Sequence, residues 1–332
     1  MTSFPGPAQI DGVPIDRLDC LRLPIVDLAA SPRLVGKLRD RFAAGRYDTI
    51  HIHSSIVAPL CLAAVPAARS IGLPMVVTFH SVMGALPLLL SLIERATGWC
   101  KGKLILSAVS KLVAGQIRNA IPTATVRVLP NGFDYAIWGA EGGRRCAVND
   151  GRMGLVSAMR LQPRKRCFAL VNAFAESARQ ASHEGIDLSL TIAGDGPLRP
   201  QLERHIAREG LRDKITLAGW LTREDLKKLY AECSLFVMPS IKEAFCIAAL
   251  EARATGLPVL AMDGTGIADF IRNDISGVLV RNDAELAREM AALATDRLRL
   301  QRLSQANDGL VRYDWQSLAA EHIALYRESH RL

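Results

Sequence analysis

The sequence predicts an α/β protein of two doubly wound domains facing across a cleft, on three observations. Short apolar segments of strand length alternate with amphipathic segments of helix length along most of the chain, the signature of parallel sheets with crossover helices. At 332 residues the chain accommodates two domains of ordinary size. A stretch from Gly139 to Gly151, with Gly142-Gly143 and Asn149-Asp150-Gly151, separates one series of such units from the next and reads as a linker. The expected divisions are 1–138 for the first domain, 139–152 for the linker and 153–312 for the second domain. Residues 313–332 are expected to be a helix crossing back to the first domain.

In the first half, Ser31-Pro32 reads as N-cap and first position of a helix, with Leu34, Val35, Leu38 and Phe42 at helical spacing. Strands are expected at 49–53, 75–80, 104–109 and 126–129, followed by the turn signal Pro130-Asn131-Gly132. In the second half strands are expected at 153–158, 188–193, 215–218, 235–238, 258–262 and 277–280. Helices fill the intervals, notably 199–209, 224–231 and 285–294, and the tail 315–329 is one more amphipathic helix.

Bulk properties narrow the function. A hydrophobic content of 49% with 22% charged residues describes a chain with a full core. Seven scattered cysteines form no Cys-x-x-Cys pair and no zinc spacing, so reduced thiols in the cytoplasm are expected. No secretory leader pattern opens the sequence, and the apolar stretch 85–93 is far short of the ~20 residues of a membrane span. The net charge of +8 suits nucleic acid, an anionic membrane surface or an anionic small substrate. With only 5% aromatic residues there is no stacking platform, and a nucleic-acid partner is not expected.

The residues suited to chemistry fall at the ends of the expected strands, where doubly wound sheets bind ligands. Glu243 and Glu251 are the most informative pair. Between them runs an apolar helix closed by Ala254-Thr-Gly-Leu-Pro258, so Glu243 should precede the helix and Glu251 lie about two turns inside. Their separation along the axis is then roughly 12 Å, about the reach from the anomeric carbon of a nucleotide-sugar to its ribose hydroxyls. Arg160 and Lys165 share the loop after 153–158, and an Arg fork with a Lys point charge suits a diphosphate; the run Arg164-Lys165-Arg166 also reads as a merely solvated basic loop. Gly194-Asp195-Gly196-Pro197 follows the next strand as a phosphate loop or a plain turn. Gly266 follows 258–262, before a helix expected near Ala268 that would aim its amides at an anion. His80 ends the strand 75–80. His51 and His53 share one strand face and read as structural or cleft-lining, because a metal would need a third ligand.

Together these segments resemble the retaining glycosyltransferases of family 4, which have the GT-B fold of two Rossmann-like domains. Val156-Ser-Ala-Met-Arg160-Leu-Gln-Pro-Arg-Lys165 looks like the family's Gly-Arg-Leu…Lys-Gly loop, and Ala193-Gly-Asp-Gly-Pro-Leu198 like its Gly-x-Gly-Pro segment. Gly219-Trp-Leu, Leu226, Tyr230 and Phe236-Val-Met-Pro-Ser240 resemble the stretch leading to the active loop. Glu243 to Glu251 matches its Glu-x7-Glu motif, and Thr265-Gly-Ile-Ala-Asp269 stands where Gly-Gly-x-Pro-Glu is usual. Weaker similarity extends through Tyr47-Asp-Thr-Ile-His-Ile-His53, Val77-Thr-Phe-His80, Ala108-Val-Ser110 and Leu129-Pro-Asn-Gly-Phe-Asp134.

Departures are equally visible. The family usually opens with a strand and a Gly-Gly loop, whereas this chain begins Met1-Thr-Ser-Phe-Pro-Gly-Pro. The first, acceptor-side domain is therefore expected to lack its N-terminal βαβ unit. Cys246 replaces a common glycine after Phe245, Thr265 the first glycine of its pair, and Asp269 a glutamate.

The resemblance implies a hexosyltransferase that moves sugar from a nucleotide-sugar donor to an acceptor hydroxyl, with retention and with neither metal nor cofactor. It implies Glu243 and His80 at the sugar, and Arg160, Lys165, Phe245, Cys246 and Gly266 at the donor diphosphate. Glu251 and Gly194 would take the nucleoside and ribose. The acceptor would be a sugar, a lipid-linked molecule or a small molecule, and the protein cytoplasmic, with the inner membrane surface as a further partner. An inactive GT-B nucleotide-binding subunit or fragment, and a nucleotide-sugar epimerase, remain as alternatives.

Overall fold

A computed structural model describes residues 7–17, 21–23, 28–30, 33–55, 59–84, 86–139, 151–306 and 309–332. Contacts divide the chain into two units, Met1–Leu129 with Ala319–Leu332, and Pro130–Leu318. Ser31-Pro32 and most of the expected linker lie outside the described residues.

The first unit opens with two antiparallel hairpins, β1 (Gln9–Ile10) with β2 (Val13–Pro14), and β3 (Leu21–Leu23) with β4 (Leu28–Ala30). The sequence reading did not anticipate them, since pairs of two- and three-residue strands carry no readable period. Helix α1 (Leu34–Ala44) follows, its N-cap Arg33 offering no side-chain cap. Then come β5 (Ile50–Ser54), α2 (Pro59–Arg69), β6 (Met75–Phe79), α3 (Leu86–Thr97), β7 (Leu104–Ala108), α4 (Lys111–Ala120) and β8 (Val126–Val128). The four strands form one parallel sheet in sequence order. Every residue of β6 and β7 is buried, which is why they read as continuous apolar runs. Ser110 caps α4 by accepting from the Val113 amide, as a serine before a helix should.

The second unit contains α5 (Tyr135–Trp138), β9 (Arg152–Ala158), α6 (Cys167–His183), β10 (Asp187–Ala193), α7 (Arg199–Arg208), β11 (Ile215–Gly219) and α8 (Arg223–Glu232). It continues with β12 (Leu235–Met238), α9 (Ile247–Ala254), β13 (Val259–Met262), β14 (Val278–Val280), α10 (Asp283–Thr295) and α11 (Arg297–Gln305). Its six strands are parallel, in the order β11-β10-β9-β12-β13-β14. Counted from β9, that is the doubly wound order 3-2-1-4-5-6, and the order reverses between β9 and β12. Helices α6 and α10 pack together, with the Ser177 hydroxyl 3.9 Å from the Met290 sulfur, and Val171, Phe174, Leu286 and Leu293 of the two helices are buried.

Helix α12 (Trp315–His330) begins in the second unit and ends in the first. Its Leu325 joins a buried cluster with Val76 and Ile105 of the first sheet and Leu129 just after it. Two local expectations need correction. Helix α9 starts at Ile247, so Glu251 lies just over one turn inside and the 12 Å separation, which assumed a helix from Glu243, does not apply. The helix expected near Ala268 is a single 3-10 turn, Gly266–Asp269. Helix α11, polar over much of its length, was not anticipated.

Candidate active site

The reversal between β9 and β12 places the loops after these strands side by side, and both carry the residues singled out by their chemistry. After β9 the chain passes Met159 and Arg160 and makes a 3-10 turn at Pro163–Lys165. It enters α6 through Arg166, which has left-handed backbone (φ 57°). After β12 it runs Pro239 to Cys246 and enters α9. Three contacts join the two loops. The Lys165 ammonium meets the Glu243 carboxylate at 2.5 Å, with both side chains largely buried (18% and 8% exposed). Arg166 donates to the Pro239 carbonyl at 3.0 Å, and the Ser240 hydroxyl donates to the Arg164 carbonyl at 3.1 Å. Arg166 also pairs with Asp283 at 2.7 Å. Sequence reasoning missed Arg166 and Ser240; the basic triplet Arg164-Lys-Arg166 was the available signal, and burial is what separates its members.

Neighbouring loops fix this pair from both sides. The Gly266 amide donates to the Glu243 carbonyl at 2.8 Å, and a Cβ on Gly266 would collide with the Ala244 carbonyl. Glycine is therefore required there by close approach of two backbones. Thr265 tolerates the position of the family's first glycine because its φ is −114°, the left-handed residue of this turn being Gly264 at φ 68°. On the other side, a Cβ on Gly194 would strike the Met159 carbonyl, and one on Gly196 would lie 2.5 Å from the Leu161 carbonyl. The amides of Met159 and Leu161 donate to the Ala193 and Asp195 carbonyls at 2.9 and 3.0 Å. The glycine segment thus braces the Arg160 loop by its backbone.

Other candidate residues take distinct places. Arg160 is solvent-exposed. The Phe245 ring is buried against Phe270 and Tyr313, with centroids 5.3 and 5.7 Å away, so only its backbone is available to a ligand. Cys246 caps α9 in left-handed backbone (φ 72°), which explains why a glycine is usual there and costs a non-glycine residue about 1 kcal/mol. Burial, then the Glu243 charge, pushes its thiol up to about 12. Burial also raises the Glu251 carboxyl to about 7, opposed by Arg223. His80 lies in the first unit, where its Nε2 is 2.8 Å from Nδ1 of His53. Among the described residues, no group of three or more His, Cys, Asp or Glu side chains is placed to hold a metal ion.

Two family models match the chain in succession. "Glycosyltransferase Family 4" matches residues 4–136 and "Glycosyl transferases group 1" matches residues 146–308. The chain belongs to the group 1, family 4 glycosyltransferases.

Members of this family are the relatives it resembles in sequence. A D-inositol 3-phosphate glycosyltransferase of Streptomyces bingchenggensis is 34% identical over 182 residues, 52% of this chain and 40% of that protein. The alpha-D-kanosaminyltransferase of Streptomyces kanamyceticus is 30% identical over 48% of this chain and 42% of its own length. Against both, the chain spans less than half of the relative's length. A D-inositol 3-phosphate glycosyltransferase of Thermobispora bispora is 28% identical over 89% of this chain and 74% of its own length.

Solved structures show the GT-B fold. A glycosyltransferase from Rickettsia africae superimposes with a TM-score of 0.76 at 18% identity, covering 96% of this chain and 86% of the other. Anabaena HepE, solved in complex with UDP-glucose, gives 0.74 at 19% identity, covering 97% and 87%.

Proposed function

We propose that this glycosyltransferase family member transfers a sugar from a nucleotide-sugar, of which UDP-sugars are the first to try, to an acceptor hydroxyl. Configuration would be retained and no metal used. The observation that carries the reading is the Lys165–Glu243 contact at the switch point, which joins a phosphate-type cation to a sugar-type carboxylate in one polar cluster. Arg160 and Lys165 would neutralise charge growing on the leaving diphosphate, with the backbone of Phe245, Cys246 and Gly266 alongside. Fixed donors act most strongly on charge that develops in the transition state. Glu243 would orient the donor sugar and support positive charge at the anomeric carbon. Glu251 would accept from both ribose hydroxyls, a bidentate match for a carboxylate, near the backbone of Gly194. His80 would act at the sugar, a role that rests on the family resemblance alone.

An acceptor at a lipid surface is the second part of the proposal. Leu88, Leu89 and Leu92 of α3 are 71%, 47% and 53% exposed, and Arg95, Lys101 and Lys103 lie exposed in and after the same helix. Apolar side chains flanked by cations suit an anionic membrane surface. Among the described residues no helix is long and apolar enough to cross a membrane.

Thermal unfolding with UDP, GDP and ADP and their sugars, on wild type and Glu251→Ala, tests the donor site. The wild type should be stabilised by one nucleotide series and the variant by none of it. An equal shift in both proteins would remove Glu251 from the site.

A further inference from the structure

Strand β5 alternates, and its His51 and His53 face the same way, towards α12 and the end of β6. The His80 amide donates to the Ser54 carbonyl at 2.9 Å, which sets His80 beside the end of β5. There the His53 Nδ1 and His80 Nε2 atoms are 2.8 Å apart. Between two neutral imidazoles that bond holds a single proton, so one ring donates and the other accepts. If His53 donates, His80 carries its own proton on Nδ1; if His80 donates, its Nδ1 is bare. The proton placements of the two rings are thus coupled through this bond. One added proton leaves an imidazolium donating to a neutral imidazole and keeps the bond; only when both rings are cationic are both facing atoms donors, and the bond is then lost.

His53 is itself held. Its ring stacks on that of His51, with centroids 4.2 Å apart and planes 28° from parallel. His51 is fixed at both nitrogens, Nδ1 2.9 Å from the Tyr326 hydroxyl of α12 and Nε2 2.7 Å from the Thr78 hydroxyl. Thr78 in turn meets Ser107 of β7 at 2.5 Å. Burial, then the charges of His53, His322 and His80, lowers His51 to about 3, so it is an uncharged platform at neutral pH. Desolvation, then His322, also lowers His53.

From α12, His322 sits 5.8 Å from His51 by ring centroids, Glu328 pairs with Arg127 of β8, and His330 bonds Thr49. From α2, burial raises the Cys61 thiol beside Ser54 to about 11, so it is uncharged.

We propose that His53 is a positioning residue for His80, fixing the orientation and proton placement of that imidazole through the ring-to-ring hydrogen bond, with His51 and Tyr326 of α12 anchoring His53 in turn. The inference rests on the reading of His80 as part of the transfer site. It implies that turnover falls at the low pH where both rings of the His53–His80 pair become cationic.

The test uses the full chain with its nucleotide-sugar and acceptor. The readouts are kcat and KM against pH, and the ring ¹⁵N signals of His80 by NMR. His53→Phe should lower kcat about tenfold or more with donor KM unchanged, and should turn a single His80 tautomer into a mixture. His53→Gln keeps one hydrogen bond and cannot be protonated; it should restore most of the turnover and move the acid limb to lower pH. If His53→Phe leaves kcat, pH profile and the His80 signals unaltered while His80→Ala abolishes turnover, the inference falls and the transfer reading stands. If His80→Ala turns over like wild type, the role of His80 falls and takes the inference with it.

Discussion

Glu251 carries its carboxyl in a poorly solvated setting beside Tyr230, and burial raises it from the ordinary carboxylate range to about 7. Because the folded value exceeds the unfolded one, its contribution to stability is full below about pH 4.5 and is lost as pH rises through about 7. Ligand binding has the opposite preference. Ribose hydroxyls donate to the ionised form, so nucleotide affinity should rise with pH up to about 7 and fall about tenfold per unit below it. Calorimetry between pH 5.5 and 8 checks this, and Glu251→Gln should give a flat, weaker profile. A wild-type affinity independent of pH would mean that Glu251 binds no hydroxyl or is ionised throughout. Much at this scale was legible: both glutamates, Lys165 and Gly266 stand out by type and position. What was not legible is their packing. Nothing in the triplet Arg164-Lys165-Arg166 shows that Lys165 turns inward to Glu243 while Arg166 bridges to Asp283. Those contacts arise only when β9 and β12 are adjacent.

At the scale of elements, legibility follows burial and length. Strands such as β12, buried at every position, were read to within a residue, because an apolar run bounded by polar turns has few alternatives. Helix α9 was placed a turn too early, because left-handed Cys246 postpones helix entry and its side chain does not announce the conformation. The Gly266 turn is a 3-10 element rather than a helix: the Ala268 and Phe270 amides donate to the Thr265 and Ile267 carbonyls, three residues back, and the backbone leaves helical conformation at Phe270. Helix α3 is the element whose surface departs most from an ordinary amphipathic helix, with three leucines turned to solvent. If it rests on lipid, the protein should co-sediment with anionic vesicles at low salt, and binding should weaken at high salt. Leu88→Ser with Leu92→Ser should reduce binding at least tenfold without altering nucleotide affinity. Equal sedimentation of variant and wild type would exclude α3 as the contact.

For the molecule as a whole, the sequence divides its information unevenly. The second unit concentrates the loops of four neighbouring strands, β10, β9, β12 and β13, at one edge of a single sheet, and a doubly wound order explains why residues so far apart in sequence meet there. The first unit contributes a parallel sheet, a histidine cluster and the landing place of α12. Its four described parallel strands run in simple sequence order, and the hairpins before them form separate small sheets. The central claim is that these parts carry out glycosyl transfer with retention. The most direct measurement is the anomeric configuration of the transferred sugar, followed by proton NMR during turnover of whichever nucleotide-sugar stabilises the protein. The expected result is a first-formed product with the configuration of the donor, lost in Glu243→Ala and Lys165→Ala. An inverted product, or tight nucleotide binding with no turnover of any sugar in the panel, would contradict it.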